Sequence, residues 1–249
     1  AIHESSICVA NSHATKADFE ERYGPPESWS CEVIHWGVDT SMFHPIDREA
    51  ADQLVEYNEN RLRYGAGEDG SKLILAVGRL AARKGFGTLL RGFAKLQEKA
   101  PKASLVIVGR GHLRRRLQRQ AARLGIGDKV TIESGMPFER LASLFRSADL
   151  VVYPSFYEGQ GLIPLEAMSS GTPVVTVDDG PLPEMVDTTV GALFSMGDID
   201  SMSDSMESEL RDDVARRKKG ELGRERVMSS FTYEGNAESF ESVYSRVVS

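Results

Sequence analysis

From Lys72 onward the chain alternates regularly between short apolar runs, glycine-bearing turns and stretches with helical spacing, without an internal sequence repeat. The runs are Leu73–Val77, Ser104–Val108, Lys129–Glu133, Asp149–Tyr153 and Pro173–Val177. Strand-length runs such as Leu73–Val77, continuously apolar, suit strands buried on both faces, and helices between strands suit a parallel sheet. Phe86, Leu89, Leu90, Phe93 and Leu96 keep a helical period; Leu113, Leu117, Ala121 and Leu124 mark a second helix and Phe138–Ser147 a third. A helical turn at PEMVD (183–187), a strand-like Ala192–Phe194 and polar amphipathic helices from Asp198 complete the series. The last helix carries Tyr233, Ala237, Phe240, Tyr244 and Val247. The pattern predicts an α/β fold: a doubly wound, Rossmann-like parallel sheet with right-handed crossovers and C-terminal helices.

Upstream, residues 6–10 read as a strand, with Asn11 or Ser12 capping a helix over Ala14–Tyr23 that stops at Gly24-Pro25-Pro26. Cys31–Trp36 reads as a second strand before a Gly37-Val38-Asp39 turn. Residues 46–71 are polar and read as a short helix and loop, a linker between domains. The net charge of −7 argues against general nucleic-acid affinity. Two cysteines without a CxxC, no apolar run of membrane-spanning length and no signal peptide lead to the expectation of a cytoplasmic protein. His3, His13, His35, His44 and His112 show no metal-ligand spacing.

Doubly wound sheets bind ligands beyond the carboxyl ends of their strands. Glycines and charges gather there: Gly78-Arg79, Gly109-Arg110-Gly111, Gly135, the Glu158 turn and Asp178-Asp179-Gly180. The richest stretch, Tyr153–Val177, holds Glu158 and Glu166 around Gly159-Gln160-Gly161. Pro164 fits only the first turn of a helix, so the free amides of the helix start lie by Gly161 and Leu162 and suit a phosphate. Two carboxylates beside a phosphate repel it unless they accept from hydroxyls, so a sugar nucleotide fits better than a bare phosphate. Arg79 and Lys84 flank the turn after the first strand, where two cations can hold a diphosphate. Gly109-Arg110-Gly111 is a poor dinucleotide fingerprint, since its third glycine position is Arg114.

The segments VGRLAARKGFGTLL (77–90), LVIVGRG (105–111), ADLVVYPSFYEGQGLIPLEAMSSGTPVV (148–175) and SFTYEGNAESFESVY (230–244) together resemble the C-terminal, donor-binding half of retaining GT-B glycosyltransferases, group one or family four. Residues 7–45 resemble that family's hinge. The resemblance implies a hinge remnant of an N-terminal acceptor domain over 1–45, a linker over 46–71, a nucleotide-sugar-binding domain over 72–230 and a C-terminal helix over 231–249. It further implies transfer of a sugar from a UDP- or GDP-sugar to an acceptor hydroxyl with retention, without metal or resident cofactor. An acceptor-binding domain of the family pattern is not among these residues, so the chain reads as an excised donor half.

Residue by residue, the resemblance gives Arg79 and Lys84 the departing diphosphate and places Glu158 near the donor sugar. It gives Glu166 the ribose hydroxyls, the amides of Gly161 and Leu162, next to Gly159, the distal phosphate, and Gly135 and Met136 the nucleobase. Three positions depart from the family pattern: Gln160 for an aromatic, Pro181 for a glycine and Trp36 for an asparagine. They read either as an altered choice of donor or as an inactive relative, a non-catalytic nucleotide-sugar-binding module being the alternative reading. Arg114, Arg115, Arg116, Arg119 and Arg123 read either as a solvated face or as a peripheral contact with an anionic membrane.

Overall fold

The computed structural model describes residues 7–24, 30–67 and 70–248; His3, Ser6, Pro25 and Pro26 lie outside them. The strands are β1 (Ile7–Ala10), β2 (Ser30–Val33), β3 (Lys72–Val77), β4 (Ala103–Val108), β5 (Val130–Glu133), β6 (Leu150–Tyr153), β7 (Val174–Val177) and β8 (Gly191–Phe194). The helices are α1 (His13–Tyr23), α2 (Ala51–Arg63), α3 (Phe86–Lys99), α4 (Arg114–Arg123), α5 (Phe138–Ser147), α6 (Leu162–Ser169), α7 (Ile199–Arg211), α8 (Asp213–Ser230) and α9 (Tyr233–Val248).

Six strands form one parallel sheet in the order β5-β4-β3-β6-β7-β8, as the apolar runs predict. β4, β6 and β7 are buried along their whole lengths. Strands covered on both faces need helices on both. α3 packs against α4 and α7, while α5 packs against α2 and α6, and α6 against α8. Right-handed crossovers put the first set on one face and the second on the other. At the amino ends of the central strands Asp149 accepts from Arg61 at 2.8 Å, Arg216 at 3.0 Å and the Leu73 amide at 2.8 Å. One partly buried carboxylate thereby ties α2 and α8 to β3.

β1 and β2 pair parallel around α1 as a separate two-stranded sheet, and the Cys31–Trp36 run stays strand only to Val33. Ser12, not Asn11, caps α1, its hydroxyl accepting from the Thr15 amide. Beyond β2 the chain meets its own far end. The Val38 amide donates to the Phe231 carbonyl at 2.9 Å, and Val38 bridges Thr232. A Cβ on Gly37 would stand 2.2 Å from the Thr232 carbonyl oxygen, so only glycine allows this approach.

Candidate functional site

The sheet reverses its winding between β3 and β6, and the chain leaves these neighbours in opposite directions. That divergence opens the crevice in which such sheets hold ligands. Lys84 reaches it from the end of a 3-10 turn after β3, and Glu158 from the loop after β6. The two meet: Lys84 Nζ forms an ion pair with Glu158 Oε1. Lys84 also donates to the Tyr153 hydroxyl at 2.8 Å and lies 5.1 Å from the centre of that ring. Ser155 Oγ donates to the same Glu158 oxygen at 2.5 Å, and Arg83 stands 3.5 Å from it. Burial, reinforced by the charge of Glu158, raises the Tyr153 phenol, which stays a neutral partner for the lysine.

Gly161, at φ 97°, opens α6, and Pro164 sits in its first turn as the sequence requires. Leu162, the first helical residue, packs on the core. One turn on, Glu166 turns its Oε2 into a buried position with no hydrogen-bond partner among the described residues. Burial pushes this carboxyl up to about 7. A carboxylate this poorly served needs hydroxyl donors from elsewhere to stay charged.

The other expected residues are less engaged. Arg79 is exposed and, among the described residues, pairs with no carboxylate. Met136 packs on the core, and a Cβ on Gly135 would come within 3.0 Å of Arg110 Nε, so Arg110 lies across the end of β5. Among the described residues no group of three or more His, Cys, Asp or Glu is placed to hold a metal ion. No helix among them is long and apolar enough to cross a membrane.

Sequence reasoning missed how tightly the β1–α1–β2 unit is fastened to this rim. The Gly159 carbonyl accepts from Ser12 Oγ at 2.7 Å and Thr15 Oγ1 at 2.9 Å. Glu184 accepts from the His13 and Ala14 amides at 2.9 and 2.8 Å and pairs with His35 at 2.9 Å. Burial works to raise the Glu184 carboxyl, yet those three bonds hold it below the usual range. A carboxylate at the start of α1 also complements the helix dipole. Gln160, buried, copies a peptide group: its Oε1 accepts from the Trp36 amide at 2.6 Å and its Nε2 donates to the Trp36 carbonyl at 3.0 Å. Between α1 and the 155–158 and 179–182 loops a cleft of about 210 Å³ remains, with Glu158, Asp179 and Pro181 in its wall. Only PEMVD hinted at Glu184; Ser12 was legible as a helix cap but not as a partner of Gly159, and nothing in the sequence pointed to Thr15.

Gln160→Leu should release residues 34–38 from the loop. Backbone amide exchange at Trp36 is expected to accelerate at least tenfold while β3 keeps its protection; an unchanged rate at Trp36 would show that the pairing does not persist in solution.

Comparison with known proteins adds the following. The sequence model of the family described as Glycosyl transferases group 1 matches residues 59–226. The GDP-mannose-dependent alpha-(1-6)-phosphatidylinositol monomannoside mannosyltransferase of Mycolicibacterium smegmatis is 30% identical over 239 residues, 93% of this chain and 60% of that protein. The D-inositol 3-phosphate glycosyltransferase of Segniliparus rotundus is 33% identical over 198 residues, 78% of this chain and 41% of that protein. This chain therefore spans about half the length of the curated relatives it matches. Among solved structures, sucrose-phosphate synthase from Thermosynechococcus elongatus superposes with a TM-score of 0.82 at 25% identity, over 99% of this chain and 59% of that one. Anabaena Alr3699/HepE, solved in complex with UDP and glucose, gives 0.85 at 21% identity, over 97% of this chain and 64% of that one.

Proposed function

The chain belongs to the glycosyl transferases group 1, and from that premise we propose that the crevice between β3 and β6 holds the nucleoside-diphosphate sugar of a retaining glycosyl transfer. One observation carries the reading: the buried, partnerless Oε2 of Glu166 one turn into the helix that follows Gly159-Gln160-Gly161. Ribose hydroxyls satisfy that oxygen, and a bare phosphate does not. The amides of Gly161 and Leu162 receive the distal phosphate. Lys84, with Arg79 at the mouth, takes the diphosphate, and in doing so exchanges part of its contact with Glu158 for the growing charge of the leaving group. Glu158, released toward the cleft, faces the sugar. Gly135 and Met136 border the base. UDP or GDP fits this scheme: the Anabaena structure contains UDP, and the mycobacterial relative is GDP-mannose-dependent. What is proposed for these residues is the donor side of the reaction, with an acceptor hydroxyl presented from outside them.

Glu166 gives the reading a pH signature. Its folded value, about 7, lies above that of an exposed glutamate. The protonated form is therefore favoured by folding, and the stability this contributes is full below the ordinary glutamate range and lost as pH rises through 7. Ligand binding runs the other way, because hydroxyl donors need the charged oxygen. Calorimetry with UDP, GDP and ADP should show at least one binding more tightly at pH 8 than at pH 6. Glu166→Gln should weaken it roughly tenfold at pH 8 and flatten the part of the pH dependence that does not belong to the nucleotide's own phosphate. The same variant should be more stable than the wild type at pH 8, by up to about 3 kcal/mol. A folded protein that binds none of the three at millimolar concentration would sink the proposal.

A further inference from the structure

A hollow that adjoins the Lys84 turn is lined by cations without an acid among them. A groove of about 600 Å³ runs between the start of α3 and the length of α4, bordered by Ala81, Ala82, Gly85 and Phe156. Arg91, Arg116, Arg119 and Arg123 line it, and no acidic residue does. All four are exposed, and among the described residues none forms an ion pair with a carboxylate. Two of them bond to neutral oxygens: Arg91 to Thr88 Oγ1 at 3.3 Å and Arg119 to the Arg115 carbonyl at 3.2 Å. In a chain of net charge −7, four uncompensated guanidinium groups around one concavity are not explained by folding. A second basic hollow, of about 380 Å³ at the amino ends of the strands, offers a contrast. There Arg48, Arg146 and Arg217 share the wall with Asp149 and Asp213, so acids answer part of the charge.

We propose that the α3–α4 groove is a binding site for a soluble small molecule carrying two or more phosphates, separate from the donor cradle. Arg116, Arg119 and Arg123 follow one another at three and four residues along α4, so they are spaced about 4.5 and 6 Å along its axis. That row is too long for one phosphate and suits a chain of them, and the guanidinium fork matches phosphate oxygens in pairs. Half-buried Leu113 also lines the groove and offers an apolar contact to the organic body of such a ligand. A discrete anion is favoured over a bilayer because Leu117 and Ala121, the apolar side of α4, are 2% and 3% exposed. They are turned into the core, and α4 has no row of apolar side chains left to insert.

Inorganic tripolyphosphate is the probe, titrated calorimetrically into the whole chain at about 50 mM salt, with and without saturating UDP. One site is expected, unaffected by UDP. Arg116→Ala/Arg119→Ala should weaken it at least tenfold, and Arg48→Ala/Arg217→Ala, at the other basic hollow, should leave it unchanged. Equal losses in both double variants would reduce the effect to general surface charge and overturn the proposal. Displacement by UDP together with loss in Arg79→Ala would move the probe to the donor cradle and equally overturn it. So would an absence of tripolyphosphate binding, including the case in which phosphatidylglycerol vesicles sediment the wild type but not Arg116→Ala/Arg119→Ala. The assay reads the groove whether or not any nucleotide binds, so its failure is distinct from failure of the donor reading.

Discussion

Gly85→Ala should be among the most destabilising single substitutions in this chain, and it should abolish nucleotide binding with it. Gly85 lies at φ 69° between the 3-10 turn that carries Lys84 and the start of α3, and its carbonyl accepts the Thr88 and Leu89 amides of that helix's first turn. A Cβ there would stand 1.9 Å from the Pro154 carbonyl oxygen. That oxygen belongs to the backbone leaving β6, so the obstacle cannot rotate away. The left-handed conformation costs an alanine about 1–2 kcal/mol, and forcing the two loops apart costs a further 1–3 kcal/mol or so. The loops that must part are the two that bring Lys84 to Glu158, so the damage falls on the site itself. Gly125→Ala is the control: φ is 71° there as well, but the added carbon meets nothing within 4 Å. Urea denaturation should show a far larger drop in midpoint for Gly85→Ala than for Gly125→Ala. Similar midpoints would mean that the two loops are not in fact pressed together.

The Lys84–Glu158 pair should respond asymmetrically when broken from either side. Both side chains are nearly buried, at 10% and 11% exposure. Glu158→Ala strands the ammonium with the Tyr153 hydroxyl as its one remaining hydrogen-bond partner among the described residues, and removing one member of a buried pair costs about 3–5 kcal/mol. Lys84→Ala leaves Glu158 with the Ser155 hydroxyl and with Arg83 close by, so its stability cost should be smaller. Nucleotide affinity should rank the other way, with Lys84→Ala the more damaging, because the lysine and not the glutamate meets the diphosphate. Thermal unfolding and calorimetry on the two variants test both orders. If Glu158→Ala proved the milder lesion for folding and the worse one for binding, the roles assigned to the pair would be wrong.

The parallel sheet was legible because strands buried on both faces need no polar alternation. Leu73–Val77 and Leu150–Tyr153 announce themselves by composition alone. The motif residues were legible one at a time, but not the contact between Lys84 and Glu158. They stand 74 residues apart, and their meeting depends on β3 lying beside β6, which strand order decides and local pattern does not. Glu184 was hidden for a related reason: a carboxylate inside PEMVD looks like any surface helical turn until α1 arrives with its free amides. Gln160 and Trp36, which look like two unrelated departures from the family pattern, turn out to be joined. Since Trp36 contributes only backbone, the join explains the glutamine and leaves the tryptophan side chain, half exposed, without a structural account.

The contact of Gly37 and Val38 with Phe231 and Thr232 has a consequence for how the molecule is born. At about 5–20 residues per second a ribosome needs roughly 10–40 seconds to travel from one end of that contact to the other. Throughout that interval the earliest segment has emerged without the strip of backbone that finally seats it. The backbone at residues 231–232 thus closes on residues 37–38 late, and a nascent chain arrested shortly before Phe231 should hold a finished central sheet with residues 37–38 held only through the Trp36–Gln160 pairing.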